Sequence, residues 1–395
     1  MAVAARLLPM NVICFPSNDA LSDLVLALHV RPARVWLAVV DDRGGRVDRL
    51  SRLLARHGIE VGRFELPGFH ACDRHADVLV DALGPVLEGA GQREVVLALG
   101  ESARPWELVC QQVLRGLLTE GEFRVLALTD GARRVARVAP GPVLVEEISS
   151  LLSPDDYLAA CNATLRRSAS DERAFTEAAN SRRALTFSLA NNAEALGSTL
   201  GTLNYLACNA LDRQTEALSA PKQHLPKPAA RPLREALEGM QSAGLLDFDG
   251  DRELIFRSSN ACRYVAGGWM EEYAWLTASE LGAEHVHAGL ELTWNAGSGI
   301  SPRNELDLFL LHRNRALTVE CKASHMGDGD TTAKILYKLD SIADRLSALP
   351  GNAVLLSAQE VPELIVKRAR AQGTEVFDAG RVVRFREWLE GWLGG

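Results

Sequence analysis

NELDLFLLHRNRALTVECKAS, residues 304–324, alternates two apolar runs around a short polar turn and reads as a β-hairpin. Asn is favoured where φ must be positive, which centres the turn on Arg313-Asn314. That register sets Asp307 opposite Glu320, with β-carbons about 5 Å apart. Lys322, two residues beyond Glu320, projects from the same face opposite Glu305. Cys321 points the other way with Leu317 and Val319 as a small hydrophobe. Two facing carboxylates repel and weaken a sheet, so something must offset them. A divalent cation is the natural candidate, and carboxylate oxygens suit Mg²⁺ or Mn²⁺. Water activated beside such an ion attacks a phosphodiester, and a lysine stabilises the charge that develops.

The preceding helical stretch, GGWMEEYAWLTASELG (267–282), puts Met270, Ala274, Thr277 and Leu281 on one inner face and ends at Gly282. Glu271 borders that face near the N-terminus. A helix acid, then Asp, then Glu-x-Lys resembles the PD-(D/E)xK nuclease superfamily. GGWMEEY, the hairpin and the downstream YKLDSIADRL resemble, more narrowly, CRISPR-associated effector nucleases with an N-terminal CARF sensor domain. The resemblance is specific over about 266–340 and architectural before that. It implies Asp307 and Glu320 as metal ligands, Lys322 as catalytic lysine and Glu271 as helix acid, Glu272 being the alternative. Lys338 is implied as a further active-site or substrate-phosphate residue.

The rest of the chain fits that layout. Its 395 residues imply two or three domains. Residues 10 to about 148 alternate short strands with amphipathic helices, which predicts a mostly parallel α/β sheet. MNVICF, RVWLAVV, VVLAL and FRVLAL are among the strands, and RVARVAPGPVLVEEI (134–148) is read as a closing hairpin. From Ser153 the chain reads as helical to about 218. Four prolines in 220–232 predict a linker. A helix and a hairpin turning at Asp249-Gly250 then look winged-helix-like. The remainder reads helix, hairpin, helix, strand, helix, strand, helix. The expected fold is therefore α/β: a Rossmann-like CARF domain (1–150), a helical connector (151–220), a linker with a winged-helix-like segment (221–265) and a PD-(D/E)xK domain (266–395).

A net charge of −8 excludes a general basic coat, though not a local basic cleft. Seven cysteines without a CxxC pair fit a reducing compartment. No apolar run approaches the roughly 20 residues of a membrane span. A cytoplasmic protein without a membrane partner is expected.

Phosphate-bearing ligands bind parallel sheets where helix N-termini meet strand ends. Ser17 and Asn18 follow one such strand, and Gly100, Ser102 and Arg104 follow another. His70, Arg74 and His75 lie in a loop nearby. The resemblance implies a cyclic oligoadenylate, with cyclic tetra-adenylate the expected allosteric activator, held across a homodimer two-fold. Gly100-Glu101-Ser102-Ala103-Arg104 departs from the Gly-Gly-Thr-Lys-like run usual in the nuclease subfamily. The implied partner of the C-terminal domain is DNA or RNA, and Arg313 and Arg315 on the turn are candidates to touch its backbone. Two other readings share the residues: a ligand-responsive DNA-binding regulator whose nuclease fold is silent, and a repair or restriction nuclease.

Overall fold

Five strands in the first 130 residues pair in parallel. The inner ones, β1 (Met10–Cys14), β2 (Arg34–Val39) and β4 (Glu94–Leu99), are apolar runs buried on both faces, whereas the edge strand β3 (Glu60–Glu65) buries only Phe64. The central strand β1 lies between β2 and β4. Outside these run β3 and β5 (Phe123–Thr129), also parallel. The antiparallel pair β6 (Arg134–Ala139) and β7 (Leu144–Glu147) completes the order β3-β2-β1-β4-β5-β6-β7. Helices α1 (Ala20–Val30), α2 (Arg46–Arg56), α3 (His75–Ala82), α4 (Gly84–Leu87) and α5 (Pro105–Leu117) connect the strands. The stripe Val47, Leu50, Leu53 and Leu54 of α2 is buried, as its spacing predicts.

The structure is a computed structural model that describes residues 10–16, 20–40, 45–88, 94–99, 104–119, 121–295, 303–324, 337, 341–342, 345–346 and 353–395. They fall into two units. One comprises Met1–Thr164, Trp294–Ser301 and Arg313–Arg315; the other comprises Leu165–Thr293, Pro302–His312 and Ala316–Gly395.

Ser153 caps α6 (Pro154–Ala160) by accepting the Asp156 N–H, but the helical reading of 153–218 fails immediately afterwards. Residues Ala163–Ser168 form strand β8, the edge of a six-stranded sheet. Its sequence, ATLRRS, has little apolar content, because an edge strand with arginines needs only backbone pairing to one neighbour. Helices then resume as α7 (Arg173–Ser181), α8 (Arg183–Asn191), α9 (Ala193–Leu196) and α10 (Ser198–Asn209).

The proline-rich stretch is not wholly a linker, since β9 (Lys222–His224) pairs within it. It joins β10 (Leu246–Phe248) and β11 (Glu253–Phe256) in a three-stranded sheet beside α11 (Leu233–Ser242). Asp249 organises the connecting turn, its carboxylate accepting the N–H groups of Asp251, Arg252 and Glu253. Next come α12 (Ser259–Arg263), a π-turn (Tyr264–Gly268) and α13 (Trp269–Glu280).

A strand that the sequence reading omitted, β12 (His285–Trp294), precedes the hairpin strands β13 (Arg303–His312) and β14 (Arg315–Lys322). The expected hairpin is thus part of a three-stranded meander. β15 (Ala353–Ser357) and β16 (Thr374–Phe377) extend it in parallel, flanked by helices Glu363–Ala371 and Phe385–Gly394.

The turn is Arg313-Asn314, with φ of 49° and 63°, as a two-residue hairpin turn requires. Asn314 is buried, within the first unit. Its Oδ1 accepts the N–H groups of Leu151 (2.8 Å) and Leu152 (3.2 Å), and its Nδ2 donates to Ser149 O (2.9 Å). Asn314→Ala should lower stability by about 3 kcal/mol, from lost buried hydrogen bonds and a left-handed backbone without its preferred residue. Asn314→Gly, which tolerates that backbone, should lower it less. Thermal melting of the two variants checks the order.

Candidate active site

The π-turn before α13 places the helix start. Gly267 has φ 148° and ψ −18°, outside the range of side-chain-bearing residues. A Cβ there would lie 3.1 Å from Ala323 Cβ, so only glycine lets this turn close on the end of β14. Asn204 Nδ2 donates to Ala266 O, satisfying a carbonyl that the kink would otherwise orphan. Met270, Tyr273, Ala274 and Ala278 of α13 then share one core with Leu308, Leu310, Leu317, Val319 and Cys321. Leu317, Val319 and Cys321 thus line one face of the hairpin.

Because His312 and Arg315 flank a two-residue turn, Asp307 and Glu320 lie opposite each other on the other face. Both side chains are largely buried, with Asp307 15% and Glu320 5% exposed. Lys322 Nζ lies 2.7 Å from Glu320 Oε1 and 3.9 Å from Asp307 Oδ2. The Cys321 backbone N–H donates to Asp307 Oδ2 at 2.6 Å, fixing that carboxylate beside β14. Burial alone would lower the Lys322 ammonium, but Glu320 and Asp307 outweigh it and hold the lysine charged.

Glu271 joins this group. Its carboxyl is pushed up to about 8, first by burial and then by the charges of Asp307 and Glu305, against the pull of Lys322. The Cys321 thiol is raised too, by burial and then by Asp307, Glu271 and Glu320. Glu272, the other acid of the first turn, is buried against Arg182 and adds only a smaller push on Glu271. Of the adjacent pair, Glu271 is the one whose carboxyl responds to Asp307 and Lys322. Glu305, which alternation places on the Asp307 face, adds a further negative charge that the sequence reading did not assign to the site. Lys338 lies outside the described residues.

The chemistry of the pair Asp307 and Glu320 suits a hard divalent ion, with the Lys322 ammonium lying beside both carboxylates, while Glu271 and the exposed Glu305 act on the pair electrostatically. Among the described residues no three acidic, His or Cys side chains converge as a ready-made cage.

In the first unit the strand order reverses between β1 and β4, where Rossmann-like sheets bind ligands. A cavity of about 240 Å³ opens there, lined by Phe15, Arg46, Phe69, Arg104 and Trp106 among others. Arg104 precedes α5, donating Nη1 to Pro16 O at 2.6 Å and its backbone N–H to Glu107 Oε2 at 2.6 Å. The Trp106 indole N–H donates to Pro67 O at 3.1 Å. His75 packs on Phe69 with ring centroids 4.1 Å apart, whereas exposed Arg74 pairs with Asp77. Arg46 is the cavity residue the sequence reading missed; its place in the first turn of α2, after β2, was the available signal. Ser17, Asn18, Gly100 and Ser102 lie outside the described residues.

Comparison with known proteins bears on the fold and on the C-terminal segment. Residues 258–394 match the family model described as Card1-like, endonuclease domain. No curated protein matches the chain in sequence. The fold is similar to the crystal structure of protein VC1899 from Vibrio cholerae, with TM-score 0.81, 21% identity and 98% of each chain covered. It is also similar to Can2 from Sulfobacillus thermosulfidooxidans in complex with cyclic tetra-adenylate, with TM-score 0.73 and 18% identity over 98% of this chain and 99% of that one. The α/β architecture is thus shared along nearly the whole length. No helix among the described residues is long and apolar enough to cross a membrane.

Proposed function

We propose that this chain is a CRISPR-associated effector nuclease of the CARF class, whose Card1-like endonuclease domain hydrolyses DNA or RNA in type III antiviral defence when a cyclic oligoadenylate binds the N-terminal unit. The observation that carries the reading is the meeting of Asp307, Glu320 and Lys322 on β13 and β14, inside the segment that matches an endonuclease domain. The chain would act in the cytoplasm as a homodimer. Cyclic tetra-adenylate is the activator we assign, since the Can2 structure of the same fold holds that ligand. The cavity beside Arg46, Arg104 and Trp106 is where we place it, because aromatic and guanidinium groups suit adenine rings and phosphates.

In this reading Asp307 and Glu320 hold Mg²⁺ or Mn²⁺, which when bound lowers the pKa of a water and neutralises charge on the phosphate. Lys322 presents its ammonium to the scissile phosphate and stabilises the added negative charge. Glu271 offers a further acceptor to orient the attacking water. Water oxygen bonds to phosphorus, the phosphorus–oxygen bond to the leaving nucleotide breaks, and the water's proton passes to that leaving oxygen.

The test is cleavage of labelled single-stranded DNA, RNA and plasmid by the full chain. Cleavage should require Mn²⁺ or Mg²⁺, vanish with a chelator, and rise at least about tenfold with cyclic tetra-adenylate, a population shift of about 1.4 kcal/mol. Tight, sequence-specific binding without cleavage in either metal would favour the DNA-binding regulator. Cleavage indifferent to the cyclic nucleotide would favour a repair or restriction enzyme.

A further inference from the structure

α13 starts at a break in the regular helix. A π-turn and the pair Gly267-Gly268 precede it, so the backbone ladder alone holds its rotation weakly. Core packing of Met270, Tyr273, Ala274 and Ala278 holds the helix against the hairpin, and one polar side-chain assembly grips it at Glu272. Arg182 Nε donates to both Glu272 oxygens, at 3.1 and 2.9 Å, and Nη2 donates to Oε1 as well. The Arg182 guanidinium lies over the Tyr264 ring, 4.4 Å from its centroid. The Tyr264 hydroxyl meets Thr186 Oγ1 at 2.9 Å, and Thr186 Oγ1 donates to Arg182 O at 3.3 Å, closing the loop. Arg182 itself sits at the junction of α7 and α8, anchored by its own N–H to Ala178 O (3.2 Å). The pair is deeply placed, with 17% of the Arg182 and 4% of the Glu272 side chain exposed.

We propose that Arg182 is a positioning residue for the cleaving centre: its clamp on Glu272 fixes the rotation of α13 that presents Glu271 to Asp307 and Lys322. Successive helical residues point about 100° apart, so any roll that released Glu272 would swing Glu271 off the hairpin. The inference rests on the nuclease reading above and names how that site is held. Simple packing is the competing account. A buried ion pair can often be replaced by two apolar residues without loss of stability, whereas removing one partner is strongly destabilising. The two accounts therefore diverge in activity once stability is restored.

The full chain is assayed with cyclic tetra-adenylate and Mn²⁺, measuring kcat, KM and melting temperature. Arg182→Met alone should lower both melting temperature and kcat. The paired exchange Arg182→Met with Glu272→Leu should regain the parent's melting temperature yet keep kcat at least about tenfold down at unchanged KM, the scale of a small misplacement. Glu271→Gln should slow the parent and add little to the paired exchange, since both act through one carboxyl. Parent-like kcat in the paired exchange would overturn the proposal, as would Glu271→Gln slowing both backgrounds by the same factor. Should the paired exchange melt early, Arg182→Lys replaces it in the same comparison. It keeps a charge without the fork, and the same two outcomes decide. A parent chain that cleaves nothing removes the premise before any variant is compared, which separates failure of the nuclease reading from failure of the clamp.

Discussion

Asp307→Asn should reduce strand cleavage by about 10³-fold or more, the scale of losing a central electrostatic group, while leaving the metal-free protein at least as stable as the parent. The side chains are nearly isosteric, and the amide oxygen can still accept the Cys321 N–H. Lys322 keeps its 2.7 Å partner Glu320. What changes is charge. Glu271 stands at about 8 through burial and then through Asp307 and Glu305, so ionising it in the folded state is unfavourable. A carboxyl raised in this way lends its full stability below its unfolded value, about 4.3, and loses it as pH climbs toward 8. Removing the Asp307 charge relieves part of that loss. Melting curves in chelator at pH 5 and pH 8 should show the variant equal to or above the parent, with the larger gap at pH 8. A variant that melts well below the parent at pH 8 would show that the hydrogen bond to Cys321 outweighs the repulsion. A variant that still cleaves within about tenfold of the parent would remove Asp307 from the site.

Gly267→Ala should act on fold and catalysis together. At φ 148° an alanine is strained, and its Cβ would press on Ala323 Cβ at 3.1 Å. Strain of this kind costs about 2–3 kcal/mol, which lowers the melting temperature by roughly 5–10 °C in a unit of this size. The structure can relieve it only by lifting the π-turn from the end of β14, and α13 moves with the turn. Glu271 then leaves the cluster, so cleavage should fall beyond what the folded fraction explains, by about tenfold. Measuring kcat at a temperature where both proteins are fully folded isolates that second effect. Parent-like kcat there would show that the turn is merely a connection.

Legibility followed the range of the forces. The hairpin was readable because alternation and one asparagine fix both pairing and turn within twenty residues. The parallel sheet was readable because buried strands are short apolar runs between amphipathic helices. β8 was not, since an arginine-rich edge strand has no apolar signature and is defined by its distant neighbour β12. β12 itself, HVHAGLELTW, alternates fully, with Val286, Ala288, Leu290, Leu292 and Trp294 apolar, and it pairs with β13 in one register past Gly289 at φ 56°, so its signal was present in the sequence and was passed over. The different surroundings of Glu271 and Glu272 were undecidable locally, because the partner of Glu272 is Arg182, 90 residues upstream. β9 was hidden by the prolines around it, which permit a short strand where their missing N–H groups are not needed.

The six-stranded sheet also dictates when activity can arise during synthesis. Its edge β8 is made at residues 163–168, yet β15 and β16, which shield β14 from one side, emerge only at 353–377. A nascent chain released or cut short before residue 353 would carry Glu320 and Lys322 on an exposed edge strand, lacking their partners Leu355 and Ser357, with Asp307 on the strand next to it. Such high contact order delays assembly until translation is nearly complete. Truncation ahead of residue 353 is therefore expected to leave Glu320 and Lys322 without the strand that completes their surroundings.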